Sequence, residues 1–519
     1  MSGVSMVRDD SLATVAQAVG ETALSREAAE LAYFEHDVFQ KGAPLLAVFR
    51  PTDTQMLARG VAAATARGIA VIPRGGGASY TGGYLASSPG ALLIDMSAMN
   101  RVLDVDPVNL TARVEAGCTW ADLRRALEPH RLRALAWGTL SGLKATIGGG
   151  MSQNGVFWGA RDGVLVDGAL SFEVVLANGR VLSTGCGFFR PFGPDITGLF
   201  ASDTGALGIK ATVTLQLVRE AEAFAYGSYT LPTAEGFFAA MSAVARERLA
   251  AECFGFDPYL QSQRLKRESI AADARSLLAV VKAQGSAWKG LKEGVKVVAA
   301  GRSFLEAGSF SLHVVCEGRH ESAVAADLAA VDRLVTEAGG APVENTIPKV
   351  ARAHPFPPLN SMIGPAGERW LPVHGLLPHG RLAEGWRRIQ DLFAREAGEM
   401  ERHGVSAGAL FAAISPSACV VEPVFYWPDA LEELHRRTVE PAHLAKLTRF
   451  PANEASRELV TRLRDSIIQI VDSLGAAHFQ IGRTYPLREA LDPQAWEILR
   501  ALKAAVDPSH LMNPGSLGL

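Results

Sequence analysis

PRGGGASYTGG, Pro73 to Gly83, is the stretch on which the reading of the whole chain turns. Five of its eleven residues are glycine, and none is acidic. Glycine puts no Cβ between a ligand and the backbone. Consecutive N–H groups in a tight loop form an anion nest, which suits a phosphate best. Ser79 and Thr81 offer hydroxyl donors, and Arg74 either adds charge or braces the loop. No Gly-Lys-Ser/Thr ends the stretch, so it is not a P-loop. No acidic residue closes a following βαβ strand, so it is not the dinucleotide G-x-G-x-x-G. Taken alone, the loop is as well explained by a plain turn.

The flanks read as short elements. Residues 52–68 have the pattern of an amphipathic helix, with Thr52 as N-cap and Gly68 at the C-terminal glycine position. IAVIP follows as a short strand. ALLIDMSAM (91–99) and LTARVEAG (110–117) read as strands and WADLRRALEPH (120–130) as a helix. LSFEVVLANGRVLST (170–184) is a hairpin turning at Asn178-Gly179, and ALGIKATVTLQLV (206–218) is a further strand. These many short strands predict an α+β block rather than a regular Rossmann βαβ repeat.

A second glycine-rich, hydroxyl-rich stretch, GTLSGLKATIGGGMSQNGVFWGARDG (138–163), points to a ligand with more than one polar region, as a dinucleotide has. PRGGGASYTGG, LLIDMSAMNRVLDVD, ARVEAG, ATIGGGMSQNG, EVVLANGRVLSTG and GLFASDTGALGI occur in that order, and the tail LKAAVDPSHLMNPG follows. This succession resembles the FAD-binding domain of the vanillyl-alcohol oxidase/p-cresol methylhydroxylase flavoproteins, over about residues 40–220 and 460–519. The resemblance implies an α+β fold with a two-part FAD-binding domain of the p-cresol methylhydroxylase type (1–220, completed by 461–519). An antiparallel-sheet cap domain (221–460) would hold the substrate. It implies that Pro73, Arg74, Gly75, Gly76, Gly77, Ala78, Ser79 and Gly83 cradle the pyrophosphate. Thr146, Gly148, Gly149, Ser152, Asn154 and Gly155 would line the flavin. Gly205, Gly208 and Ile209 would touch its ring or adenine side, and Asn513 would close the site. Many members attach FAD through a histidine in the first loop, where this chain has Ala78. Others use a cap-domain His or Tyr, and GERWLPV (367–373) has neither. Non-covalent FAD is the expectation.

For chemistry, two stretches stand out: LPVHGLLPHGRL (371–382), with His374 and His379, and HFQIGRTYPL (478–487), with His478 and Arg483. In the 2-hydroxy-acid dehydrogenase branch the matching places bind a divalent metal. His374, His379 and His478 are therefore a candidate zinc or manganese site, although the spacing is shorter and Phe479 stands where the family has histidine. The alternative is that each histidine makes one ordinary hydrogen bond. Arg483 is read as a carboxylate clamp or phenolate partner, against a structural ion pair. The EPVFYWP run (422–428) reads as a buried strand with Glu422 paired, or as an aromatic pocket wall. The reaction expected is oxidation of a 2-hydroxy acid to the 2-oxo acid, with hydride passing to flavin N5. The rivals are a 4-alkylphenol or aryl-alcohol oxidase and a non-catalytic FAD-binding protein. The electron acceptor is left open among oxygen, a cytochrome, a quinone and an electron-transfer flavoprotein.

The 519 residues call for more than one domain. A net charge of −3 excludes the basic footprint of a nucleic-acid binder. Five scattered cysteines argue against a disulfide framework, and neither a signal peptide nor a long apolar run is visible. A cytoplasmic homodimer is expected. Residues 282–302 carry five basic residues against one acidic. They read as a solvated helical face, or as peripheral contact with the inner membrane surface.

Overall fold

The structure, a computed structural model, describes residues 12–156, 159–267 and 308–519; the basic run 282–302 lies outside them. Three sheets organise the chain. The first has four strands, in the order Leu24–Ser25, Leu45–Phe49, Ala91–Asp95, Val71–Arg74. Its last three strands run parallel, and helix Thr54–Thr65 crosses between Leu45–Phe49 and Val71–Arg74. This one unit is βαβ, set in a block that is otherwise α+β as expected. Asp53, not Thr52, caps its helix, accepting from Met56 N–H. The quoted glycine loop begins at the carboxyl end of Val71–Arg74, where open α/β sheets place their ligands.

The second sheet is antiparallel, in the order Val102–Asp106, Thr111–Glu115, Ile209–Arg219, Ala169–Val175, Val181–Ser183. Leu132–Ala134 pairs with the far end of Ile209–Arg219. The hairpin turns through Gly179 at φ 76°, as Asn-Gly predicts. The stretch 138–163, read as loop, contains a short helix, Ile147–Gln153, whose cap Thr146 accepts from Gly149 N–H.

The third sheet is antiparallel and has eight strands, built from residues 223–427. Its order ends Glu252–Phe256, Ser406–Ile414, Ala418–Trp427, Arg369–Pro372, and Gly375–Pro378 also pairs with Ala418–Trp427. Strand side chains alternate between faces. Along Ala418–Trp427 the odd positions Val421 and Phe425 pack under helices Leu382–Arg402 and Glu454–Asp472. The even positions Val420, Val424 and Tyr426 face the other way, with Phe254, Trp137 and Val156. Glu422 belongs to that even set. The second and third sheets are also joined by charge. Glu317 accepts from Arg133 (3.1 Å) and Arg352 (2.9 Å), and the Arg352 guanidinium lies 4.4 Å over the Trp137 ring.

The tail returns to the first sheet. Val71 N–H donates to Leu511 O (2.8 Å) and Asn513 N–H to Val71 O (2.9 Å). Among the described residues no helix is long and apolar enough to cross a membrane.

Candidate functional site

One cavity connects the glycine loops to the even face of the third sheet. Its lining draws on both glycine-rich stretches and on the third sheet, a longer site than a single phosphate needs. Gly75 to Ser79, Thr146, Gly148, Gly149, Ser152, Gly155, Gly205 and Gly208 form one wall. Tyr80, Trp370, Glu422 and Gln480 form part of another. Among the described residues the amides of Gly75, Gly76, Gly77, Ala78 and Ser79 meet no protein acceptor. Five successive free N–H groups beside a cavity make the nest that a pyrophosphate needs. The loop is pressed against its neighbour: a Cβ on Gly76 would sit 1.9 Å from the Lys144 carbonyl oxygen, and Gly77 has φ 67°. Asp37 holds the loop's far end, accepting from Gly82 N–H at 2.8 Å.

Arg74 braces this loop through one side of its guanidinium and leaves the other, Nη2, buried without a partner. Its Nη1 donates to Phe34 O (2.9 Å) and His36 O (3.2 Å). The guanidinium sits among the Tyr33, Phe34 and Tyr84 rings at 4.8–5.0 Å.

At the sheet wall, Glu422 is the only carboxyl among the described residues lining the cavity. It is buried, its Oε2 has no hydrogen-bond partner, and burial pushes its pKa up to about 8. Tyr80 stands near it, and burial holds the Tyr80 phenol well above the usual tyrosine range. Trp370 meets the Tyr80 ring edge-on at 5.7 Å.

Residues 45–185 match the family described as FAD binding domain, and residues 450–517 match FAD linked oxidases, C-terminal domain. The two ends of the chain therefore match the two parts of an FAD-linked oxidase, the FAD binding domain and the C-terminal domain. Among relatives, the chain is 34% identical over 179 residues to glycolate oxidase subunit GlcD of Bacillus subtilis, covering 34% of this chain and 37% of that one. It is 26% identical over 257 residues to alkyldihydroxyacetonephosphate synthase of Caenorhabditis elegans, covering 47% and 42%. The chain thus spans well under half the length of these relatives. In fold it is similar to p-cresol methylhydroxylase, with a TM-score of 0.73, 15% identity and coverage of 99% and 97%. It is likewise similar to the 4-ethylphenol oxidase of Gulosibacter chungangensis (TM-score 0.67, 16% identity, 99% and 97%).

Within this FAD-linked fold most of the expected cofactor residues line the cavity, Pro73, Gly83 and Ile209 included. Asn154 and Asn513 do not. Asn154 ends helix Ile147–Gln153 in the left-handed conformation (φ 51°). Asn513 is a staple: its Nδ2 donates to Gly83 O and Thr204 O, both at 2.7 Å, and its Oδ1 accepts from Arg483. Arg483 is not a free clamp. It donates to Gly82 O, to Asn513 Oδ1 (2.9 Å) and to Pro514 O (2.8 Å), and it does not line the cavity. It locks the tail onto the glycine loop.

The three histidines are not assembled as metal ligands, and no group of three or more His, Cys, Asp or Glu fit for a metal occurs among the described residues. His379 lies against Ser242 Oγ (3.0 Å) and Pro416 O (2.8 Å). His478 bonds Asp472 (2.6 Å) and His374 O (3.0 Å). His374 is fully buried behind Tyr80, its Nε2 2.6 Å from Phe479 O. Each ring spends its nitrogens on protein partners. Sequence reasoning passed over Tyr80, Gln480 and the direction of Glu422. The signal for Glu422 was present: a lone acid on the even face of ACVVEPVFYW, whose even positions are otherwise apolar.

Proposed function

We propose that this protein is an FAD-dependent oxidoreductase that oxidises a CH–OH group, with Glu422 taking the hydroxyl proton. The observation carrying this reading is the unpartnered Glu422 carboxyl at the cavity wall, whose pKa of about 8 suits a general base at mildly alkaline pH. FAD bound in the cradle supplies the hydride acceptor. It is held without a covalent bond, since Ala78 stands at one attachment place and GERWLPV (367–373) offers neither His nor Tyr for the other. Tyr80, Gln480 and Trp370 orient the alcohol and exclude water.

A 2-hydroxy acid is the second reading, favoured by the likeness to glycolate oxidase subunit GlcD. Against it, Lys210, one of the two described cations that line the cavity, is engaged with Asp203 (2.6 Å) and Ser152 (2.9 Å), and Arg74 keeps only its buried Nη2 free.

The test is anaerobic flavin bleaching with primary alcohols, 4-alkylphenols and 2-hydroxy acids in parallel, in the wild type and Glu422→Gln. Alcohols are expected to bleach the wild type. The variant should keep its flavin and react about 10²–10³-fold more slowly. Bleaching by hydroxy acids alone, at an unchanged rate in Glu422→Gln, would sink the reading.

A further inference from the structure

All three phenylalanines that stand exposed among the described residues fall in one loop, CGFFRPFGP (186–194): Phe188 is 73% exposed, Phe189 57% and Phe192 81%. An ordinary surface scatters such rings singly, and a cluster of them marks a contact. The loop's one charge is turned away from the tip. Arg190 Nη1 donates to Val166 O (2.7 Å) and Ala169 O (3.1 Å), and its Nε and Nη2 donate to Asp195 (3.0 and 2.9 Å). Asp195 in turn accepts from Gly198 N–H at 2.9 Å, at the start of helix Ile196–Phe200. The rings are thus carried on a braced loop whose charge is cancelled beneath them. The loop also lies on the far side of the second sheet from the cradle. A Cβ on Gly187 would sit 3.8 Å from Ser171 Oγ and 3.9 Å from Thr214 Cγ2, and these two residues stand opposite each other in the sheet. Their strand neighbours Phe172 and Val213 point the other way, into the core with Ile147 and Met151 of helix Ile147–Gln153.

We propose that this tip seats the protein on a membrane: Phe188, Phe189 and Phe192 enter the interface of a lipid bilayer and hold the chain there by apolar burial, without help from charge. Two other occupants fit less well. A second copy pressed tip to tip has too little to bury. The three exposed fractions amount to about two whole rings, about 400 Å² at about 200 Å² a ring, so two copies bury about 800 Å². Stable pairs begin at about 1,200 Å². An electron carrier docked here would have the second sheet between it and the cradle. A bilayer interface needs no matching pocket. It closes round each protruding ring, and binding grows with the apolar area buried. A tip already held in shape loses little freedom on entering it.

The test is flotation of the FAD-loaded protein with vesicles of phosphatidylcholine alone, which carry no net charge. The wild type is expected to float with them, and equally at about 0.1 M and about 1 M salt, over which the screening length falls from about 10 Å to about 3 Å. Phe188→Ser combined with Phe192→Ser should cut binding by about 10²-fold or more, at about tenfold or more for each ring. Both side chains are exposed, so the double variant should keep its Tm and its flavin content. A wild type that stays at the bottom of the gradient overturns the proposal. So does one that floats only with vesicles containing phosphatidylglycerol and lets go in salt, since charge elsewhere would then hold it. An undiminished double variant overturns it as well. A wild type that ignores vesicles but sediments as a dimer, with the double variant a monomer, would overturn it in favour of a second copy.

Discussion

The two walls of the cavity are made in opposite ways. The glycine wall is backbone: free N–H groups from Gly75 to Ser79 on a loop that springs from one strand. The sheet wall is side chain: Tyr80, Trp370, Glu422 and Gln480, brought together from segments hundreds of residues apart. A backbone wall recognises a shape common to every FAD. A side-chain wall can change its ligand by single substitutions. The difference teaches where cofactor identity and substrate identity are stored.

The largest expected effect breaks the first wall. Gly76→Val would drive a Cβ toward the Lys144 carbonyl, which cannot move aside as a flexible side-chain end would. A colourless protein is expected, with FAD affinity down by about 10²-fold or more, read from flavin fluorescence released on denaturation. A yellow Gly76→Val protein would show that the backbone wall is not the cradle.

Next comes the pH dependence of the second wall. Glu422 must lose its proton to act as base, so the rate of anaerobic flavin reduction should rise with pH and level off above about 8, and Glu422→Gln should flatten the profile. The linked stability runs the other way. The native state holds this proton more tightly than the unfolded chain, so stability falls as pH rises from the ordinary glutamate range toward about 8. Glu422→Gln should therefore raise Tm at pH 8–9 and change it little at pH 5, which thermal melts at the two pH values would check.

A smaller effect separates the walls. Arg483→Met removes donors to Gly82 O, Asn513 and Pro514 O. It should lower Tm by about 1–3 degrees, about 1–3 kcal/mol, and loosen the flavin, while substrate KM stays put. A KM that rises a hundredfold for a hydroxy acid would restore Arg483 as a clamp. The smallest effect is His379→Gln, whose partners are Ser242, Pro416 and Cys419, and which should leave flavin reduction unchanged, with or without a chelator.

How much could be read in the sequence follows the same division. Gly75 to Ser79, the hairpin at Asn178-Gly179 and helix Thr54–Thr65 were legible because glycine, turn residues and a 3.6-residue period act locally. Arg483 and the three histidines misled because a side chain's partner depends on what the fold brings beside it. The Arg483 partners Asn513 and Pro514 lie 30 and 31 residues away, and the His478 partner Asp472 only six. Residue type announced a charge but not its target. Glu422 was hidden for the converse reason. Its period-two position was plain, yet only the packed sheet shows that the even face looks into a cavity.

The Asn513 staple joins residues 430 positions apart, Asn513 to Gly83. During synthesis the glycine loop emerges from the ribosome long before its fastener does. For most of translation the nascent chain carries half a cradle, with Val71 lacking the edge partners Leu511 and Asn513. Contacts of such long range form late and slowly. Coloured protein should thus appear only after the residues around 513 have been made. The supply of FAD at that moment, rather than early in translation, would set how much of the chain matures.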